Sequence, residues 1–174
     1  MTSIIIATDG SLSAERAVHI GADIAKSRNA DVCVVSVLDD RPIPESIIAM
    51  AETEHLVEQA SDAHISNIAN VPMWMTEGVR AAAQTEEMID IRHAVADLAM
   101  EKARAILGEA GITAITEQIS EGDAADIILQ AAERESAEMI VMGTRGLGAL
   151  KGLVIGSTSR QVAEHAECSC VTVT

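Results

Sequence analysis

The run SIIIAT at residues 3–8 leaves a folding chain few choices. It is continuous, apolar and largely β-branched. A strand with no polar face has to be covered on both sides, which is the condition of a strand inside a parallel sheet. Four further runs have related character: DVCVVSVL at 31–38, the weaker and more alternating ITAITEQI at 112–119, EMIVMG at 138–143 and CVTVT at 170–174. Helical periodicity fills the intervals between them. Residues 12–28 place Ala14, Ala17, Val18, Gly21, Ala22 and Ala25 on one stripe, with Ser11 as N-cap and Glu15 one residue late for a capping box. Residues 86–107 carry Met88, Ile91, Val95, Leu98 and Ile106. Asp123 caps a helix over 124–136 with Ile127, Ile128 and Ala131 inward, and a last helix covers about 157–166. This alternation predicts an α/β chain with an open, doubly wound, five-stranded parallel sheet. Residues 1–174 fit a single domain.

One segment is surplus to that plan. From Asp40 to about Thr85 the chain is too long for a simple crossover. After Pro42 and Pro44, ESIIAMAETEHLVEQASDAHISNI reads as a helix, and NVPMWMTEG breaks it around Pro72 before a loop. The expectation is a helical excursion after the second strand, spanning 40–85. Within it MWM at 73–75 reads as a lid, a dimer contact or the ordinary packing of an insertion.

Composition excludes several roles. The formal net charge is -15, so a phosphate backbone finds no basic face. Phe and Tyr are absent and Trp74 is the only aromatic, which removes the stacking platforms of single-strand binders. The core must be built from Ile, Val, Leu, Ala and Met. No basic stretch precedes an apolar run at the N-terminus, and no apolar stretch is long enough for a bilayer, so the expected setting is soluble and cytoplasmic. Cys33 falls in a buried strand as a small hydrophobe. Cys168 and Cys170 form neither a secreted disulfide framework nor a zinc ligand set.

The acids themselves point to a site. Between Glu138 and Glu164 lie 25 residues without one, against 14 in the next longest such interval. Arg145, Lys151 and Arg160 fall inside, so this is where an acidic protein tolerates a polyanion. The same interval contains GTRGLGALKGLVIGSTS, with Gly143 ending a strand at the carboxyl edge of the sheet. Glycines let backbone N–H groups approach phosphate closely. Gly156 opens a helix whose N-terminus attracts anions, and Ser157, Thr158 and Ser159 add hydroxyls. The pattern is not a P-loop. Gly146, Gly148 and Gly152 give G-x-G-x-x-x-G, not the dinucleotide G-x-G-x-x-G, and they follow the fourth strand instead of the first.

Gly143, two residues, Gly146, nine residues and Gly156-Ser157 match the G-2x-G-9x-G-[S/T] signature of nucleotide-binding universal stress proteins, which the chain resembles. IIIATDGS, VVSVLDD and EGDAADIILQAAERESAEMIVMGTRG resemble further parts of that family, so the likeness covers most of the chain. The resemblance implies a Rossmann/flavodoxin-like sheet in the order 3-2-1-4-5 with ATP at its carboxyl edge. By it, Ala7, Thr8 and Asp9 line the ribose and adenine, and Val37 offers backbone groups to adenine. Met142 and Gly143 floor the site. Gly146, Gly156, Ser157, Thr158 and Ser159 carry the ribose and phosphates beside Arg145, with Mg²⁺ or Mn²⁺ bridging the phosphates; no metal ligand is assigned. Asp9 has a second reading as a turn or cap residue. The family often dimerises through its last strand. Here Cys168-Ser169-Cys170 replaces the usual Cys-Pro-Val, and Thr172 and Thr174 make the strand more polar.

Three functions are weighed. The first is a nucleotide-dependent regulatory or stress-response protein, a homodimer with room for a further protein partner. The second is a nucleotide-free dimeric interaction module of the same fold. The third, a flavin electron carrier, lacks the aromatic walls flavin prefers. No general base is evident: His19 and His165 fall on helix surfaces, and His55, His64 and His93 lie in or near the excursion. Arg145 is a weak candidate for stabilising phosphoryl transfer. Turnover would be limited to slow hydrolysis or autophosphorylation at Ser157 or Ser159.

Overall fold

A computed structural model describes residues 2–38, 76–146 and 155–174, without the side chains of 76–88, 90 and 91. Pro42, Pro44, Pro72, the MWM at 73–75, His55, His64, Met88, Ile91, Gly148, Lys151 and Gly152 are named above for features that lie outside what is described. The chain divides into two compact units, Met1–Pro42 with Ala96–Thr174, and Ile43–Val95. Of the second, residues 76–95 are described and are helical.

The first unit contains the sheet. In chain order the elements are β1 (Ser3–Ala7), α1 (Leu12–Arg28), β2 (Asp31–Leu38), α2 (Thr76–Glu109), β3 (Ile115–Glu121), α3 (Ala124–Arg134), β4 (Met139–Gly143), α4 (Ser157–His165) and β5 (Ser169–Val173). Every strand pair is parallel and the order is β3-β2-β1-β4-β5, as expected. Successive residues of a strand face opposite sides, and in β1, β2 and β4 both sides are buried and largely apolar. Ile4, Ile6, Val32, Val34 and Val141 pack with Ala17, Val18, Ala22 and Ala25 of α1 and with Met100, Ala103 and Leu107 of α2. Ile5, Cys33, Val35, Ile140 and Met142 pack with Ala125, Ile128, Ala131 and Ala132 of α3 and with Val162 of α4. Small helix residues bring α1 close to the sheet: a Cβ on Gly21 would lie 2.6 Å from Ile6 Cδ1.

The helix caps are those expected. Ser11 Oγ accepts from Ala14 N at 3.3 Å, and Asp123 Oδ1 accepts from Ala125 N at 2.9 Å and Asp126 N at 3.1 Å. The buried stripe of α1 is the predicted one. Two elements differ from expectation. Helix α2 starts at Thr76, where a loop was expected up to residue 85, and its buried face is Ala96, Ala99, Met100, Ala103 and Leu107. Val95, Leu98 and Ile106 are only half-buried. The face has turned by about one residue, roughly 100°, because alanines permit a closer approach to the sheet than the larger residues of the predicted stripe.

Strand β3 begins at Ile115, not at Ile112. Ile112 belongs to the end of α2: its N–H donates to Leu107 O at 2.9 Å and that of Gly111 donates to Gly108 O at 2.9 Å. Gly111 has φ +85. These are the paired bonds of a Schellman stop, completed by packing of Ile112 against the core that contains Leu107. Beyond it, β3 is gripped from both faces. Arg104 of α2 holds Glu117 through two bonds of 2.8 and 2.6 Å, while Arg134 of α3 donates to Gln118 Oε1 at 2.5 Å. No described helix is long and apolar enough to cross a membrane.

Candidate functional site

The strand order reverses between β1 and β4, and ligands of open α/β sheets bind outside the carboxyl ends of strands at such a point. Ala7 is in register with Met142, so the chain leaves both strands at the same height. After β1 it turns through Thr8, Asp9 and Gly10. Thr8 N donates to Val35 O at 2.9 Å, and Thr8 Oγ1 accepts from Gly10 N at 3.3 Å. Asp9 Oδ1 accepts from Ser11 N at 3.0 Å, so the turn reading of Asp9 holds. Its other oxygen faces the second loop. A Cβ on Gly146 would lie 2.5 Å from Asp9 Oδ2, so any other residue there requires the carboxylate to shift.

Two serines of the α1 terminus hold the second loop from the opposite side. Ser13 Oγ donates to Arg145 O at 2.5 Å, and Ser11 Oγ lies 3.4 Å from the same oxygen. Gly143 lets this terminus come down on β4, for a Cβ there would meet Ser13 Oγ at 2.8 Å and Ala14 N at 2.9 Å. Val37 lies on β2, two residues beyond the last one paired with β1. Val35 O is bonded on the β1 side, and the direction of these groups alternates along a strand. Val37 therefore directs its N–H and C=O to the β1 side, where pairing with β1 has already ended at Val35.

Helix α4 closes the arrangement. Its N-cap is Gly156, which brings no side chain, and its first turn carries no acid. Gly156 N donates to Thr144 O at 2.6 Å, which ties the helix to the residue after β4. Ser157 is exposed, Thr158 half-buried and Ser159 buried. Arg145 is exposed. The structure thus brings Asp9, Gly146, Gly143 and the loops around them together and anchors α4 to the same edge. Sequence reasoning passed over Ser13 and Thr144. Both act on backbone carbonyls across the fold, and nothing in local sequence marks such a partner. His19, His93 and His165 are exposed on α1, α2 and α4. Burial pushes the Cys33, Cys168 and Cys170 thiols up from their ordinary range, so all three are poor nucleophiles at neutral pH. Among the described residues no group of three or more His, Cys, Asp or Glu is placed to hold a metal.

The model of the universal stress protein family matches residues 1–174. The chain belongs to this family. It is 30% identical over 171 residues to the "universal stress protein in QAH/OAS sulfhydrylase 3′ region" of Thermus aquaticus, covering 98% of this chain and 97% of that one. Among solved structures, universal stress protein UspA from Lactobacillus plantarum matches with a TM-score of 0.68 at 20% identity, over 99% of this chain and 97% of that one. A universal stress protein in complex with cAMP matches with a TM-score of 0.62 at 20% identity, over the same shares of 99% and 97%. Both structures share the fold of this universal stress protein.

Proposed function

We propose that this universal stress protein binds ATP at the β1/β4 switch point and works as a nucleotide-dependent regulatory protein of the stress response. The observation that carries the reading is the close approach of Gly146 to Asp9, beside an acid-free helix terminus. The residues fit an adenine nucleotide in chemically distinct zones. Val37 offers one N–H and one C=O toward the adenine edge. Asp9, with Ala7 and Thr8, takes the ribose end, since a carboxylate accepts from two hydroxyls but repels phosphate. Met142 and Gly143 form the floor. Gly146, Gly156, Ser157 and Thr158 surround the phosphates, with Arg145 as the adjacent cation, while the buried Ser159 directs its hydroxyl inward beneath them. The N-terminus of α4 attracts negative charge through its peptide dipoles.

Triphosphate bound to a chain of net charge -15 calls for a divalent cation, Mg²⁺ or Mn²⁺, to neutralise its oxygens. The reading includes a cytoplasmic homodimer built on β5, an edge strand of the sheet. The complex of a structural neighbour with cAMP supports an adenine nucleotide as the ligand class. The test is to denature freshly purified protein and identify released nucleotide by chromatography and mass spectrometry, then to titrate emptied protein with ATP and Mg²⁺. Stoichiometric adenine nucleotide is expected. No released nucleotide and no binding on titration would refute the reading in favour of a nucleotide-free dimeric module.

A further inference from the structure

Ser159 stands among the hydroxyls at the start of α4, but its geometry differs from that of a ligand contact. The residue is 4% exposed. Its hydroxyl has two carbonyl acceptors inside the protein, Thr144 O at 2.9 Å and Gly156 O at 3.1 Å. Thr144, 5% exposed, is the centre of a short chain of bonds. Its carbonyl accepts from both Gly156 N and Ser159 Oγ. Its own N–H and hydroxyl both donate to Val173 O, at 2.6 and 3.1 Å. The first turn of α4 is therefore fastened through one buried threonine to the last residue of β5.

We infer that Ser159 and Thr144 are positioning residues: a strut from Val173 to the first turn of α4 that sets the protein's affinity for phosphate without touching it. The inference rests on the nucleotide reading above. Its physical basis is that a helix terminus favours an anion only when its N–H groups are aimed at the anion's position, and that buried hydrogen bonds hold such an aim. Breaking the strut frees the first turn to shift against the loop after β4. Adenine and ribose, held by β1 and β2, do not depend on it.

The test compares Mg²⁺–ATP and adenosine binding by calorimetry in the wild type, Ser159→Ala, Thr144→Val, the double variant and Thr144→Ser. Amide exchange of Arg160 and Gln161 is followed in the free proteins. Ser159→Ala should weaken ATP binding about ten-fold and leave adenosine binding unchanged. Thr144→Val should act in the same direction, Thr144→Ser should retain wild-type affinity, and the double variant should be no worse than Ser159→Ala. Exchange in the first turn of α4 should quicken in Ser159→Ala. Losses that multiply in the double variant would mean that Ser159 meets the phosphates directly and would overturn the strut, as would unaltered exchange. Equal losses for ATP and adenosine would also overturn it. A wild type that binds neither ligand would overturn the nucleotide reading and the affinity role together, while faster exchange in Ser159→Ala would still uphold the strut itself.

Discussion

Replacing Gly146 by alanine tests the contact between the two loops at its tightest point. The added methyl would lie 2.5 Å from Asp9 Oδ2. A carbon and an oxygen rest at about 3.4 Å, so the groups must separate by about 0.9 Å. Asp9 cannot move that far for nothing, because Oδ1 accepts from Ser11 N at 3.0 Å. Stretching that bond, made by a charged but half-exposed group, costs about 1 kcal/mol. For a chain of this length that is a fall in Tm of about 2–4 °C. Binding should suffer more. A carboxylate displaced by nearly 1 Å loses its reach to two ribose hydroxyls, and ATP affinity should fall about ten-fold or more, ~1.4 kcal/mol. Calorimetric titration with ATP and Mg²⁺ measures the affinity, and thermal unfolding without ligand measures the stability. Asp9→Ala alone should weaken binding several-fold. In that background the new methyl has no carboxylate to strike, so adding Gly146→Ala should cost little more. Wild-type affinity in Gly146→Ala, or losses that multiply in the double variant, would refute the reasoning.

Two further predictions concern stability. Gly21→Ala gains about 0.5–1 kcal/mol of helix preference. It also drives a methyl into the fully buried Ile6, an overpacking that costs about 1–3 kcal/mol. A net loss of about 1 kcal/mol in urea unfolding is expected, with nucleotide affinity unchanged; a stabilised variant would contradict the packing. The second concerns pH. The bonds from Arg104 hold the Glu117 carboxyl below its ordinary value of 4.5. A depressed folded-state pKa gives stability that is present above the unfolded value and lost as pH falls through the folded one. The Tm difference between wild type and Glu117→Gln should therefore be constant at neutral pH and shrink below about pH 4.5. A difference that persists unchanged to pH 2 would show that the ion pair contributes nothing to it.

Much of the sheet could be read from the chain because its strands are unambiguous: Ile4, Ile5 and Ile6 admit no wet face, and the stripe from Ala14 to Ala25 has one period only. Asp9, Gly143 and Gly146 could be placed together for a related reason, since they follow β1 and β4 at the switch point. What escaped was set by tertiary contact. The inward face of α2 is chosen by how near Ala96, Ala99 and Ala103 can approach the sheet, and hydropathy alone ranks these below Val95 and Leu98. Ile112 looks like the first residue of a strand until Gly111 is seen to end α2. Ser159 looks like the exposed Ser157 two residues before it, yet two steps of about 100° each turn it from the surface to Thr144.

The double grip on β3 has a consequence for how the edge of this sheet finds its place. Arg104 and Arg134 belong to helices on opposite faces, and their partners Glu117 and Gln118 are neighbours in the chain. A strand that slid by one residue would present every side chain to the wrong face. Glu117 would then turn toward α3 and Gln118 toward α2. Either slip separates the Arg104 guanidinium from its carboxylate and leaves the acid facing the wrong helix. The two arginines together thus act as a parity check on the edge strand beside β2. A one-residue deletion between Gly111 and Ile115 should be far less tolerated than the exposure of this segment suggests, while a two-residue change that keeps the parity should be milder.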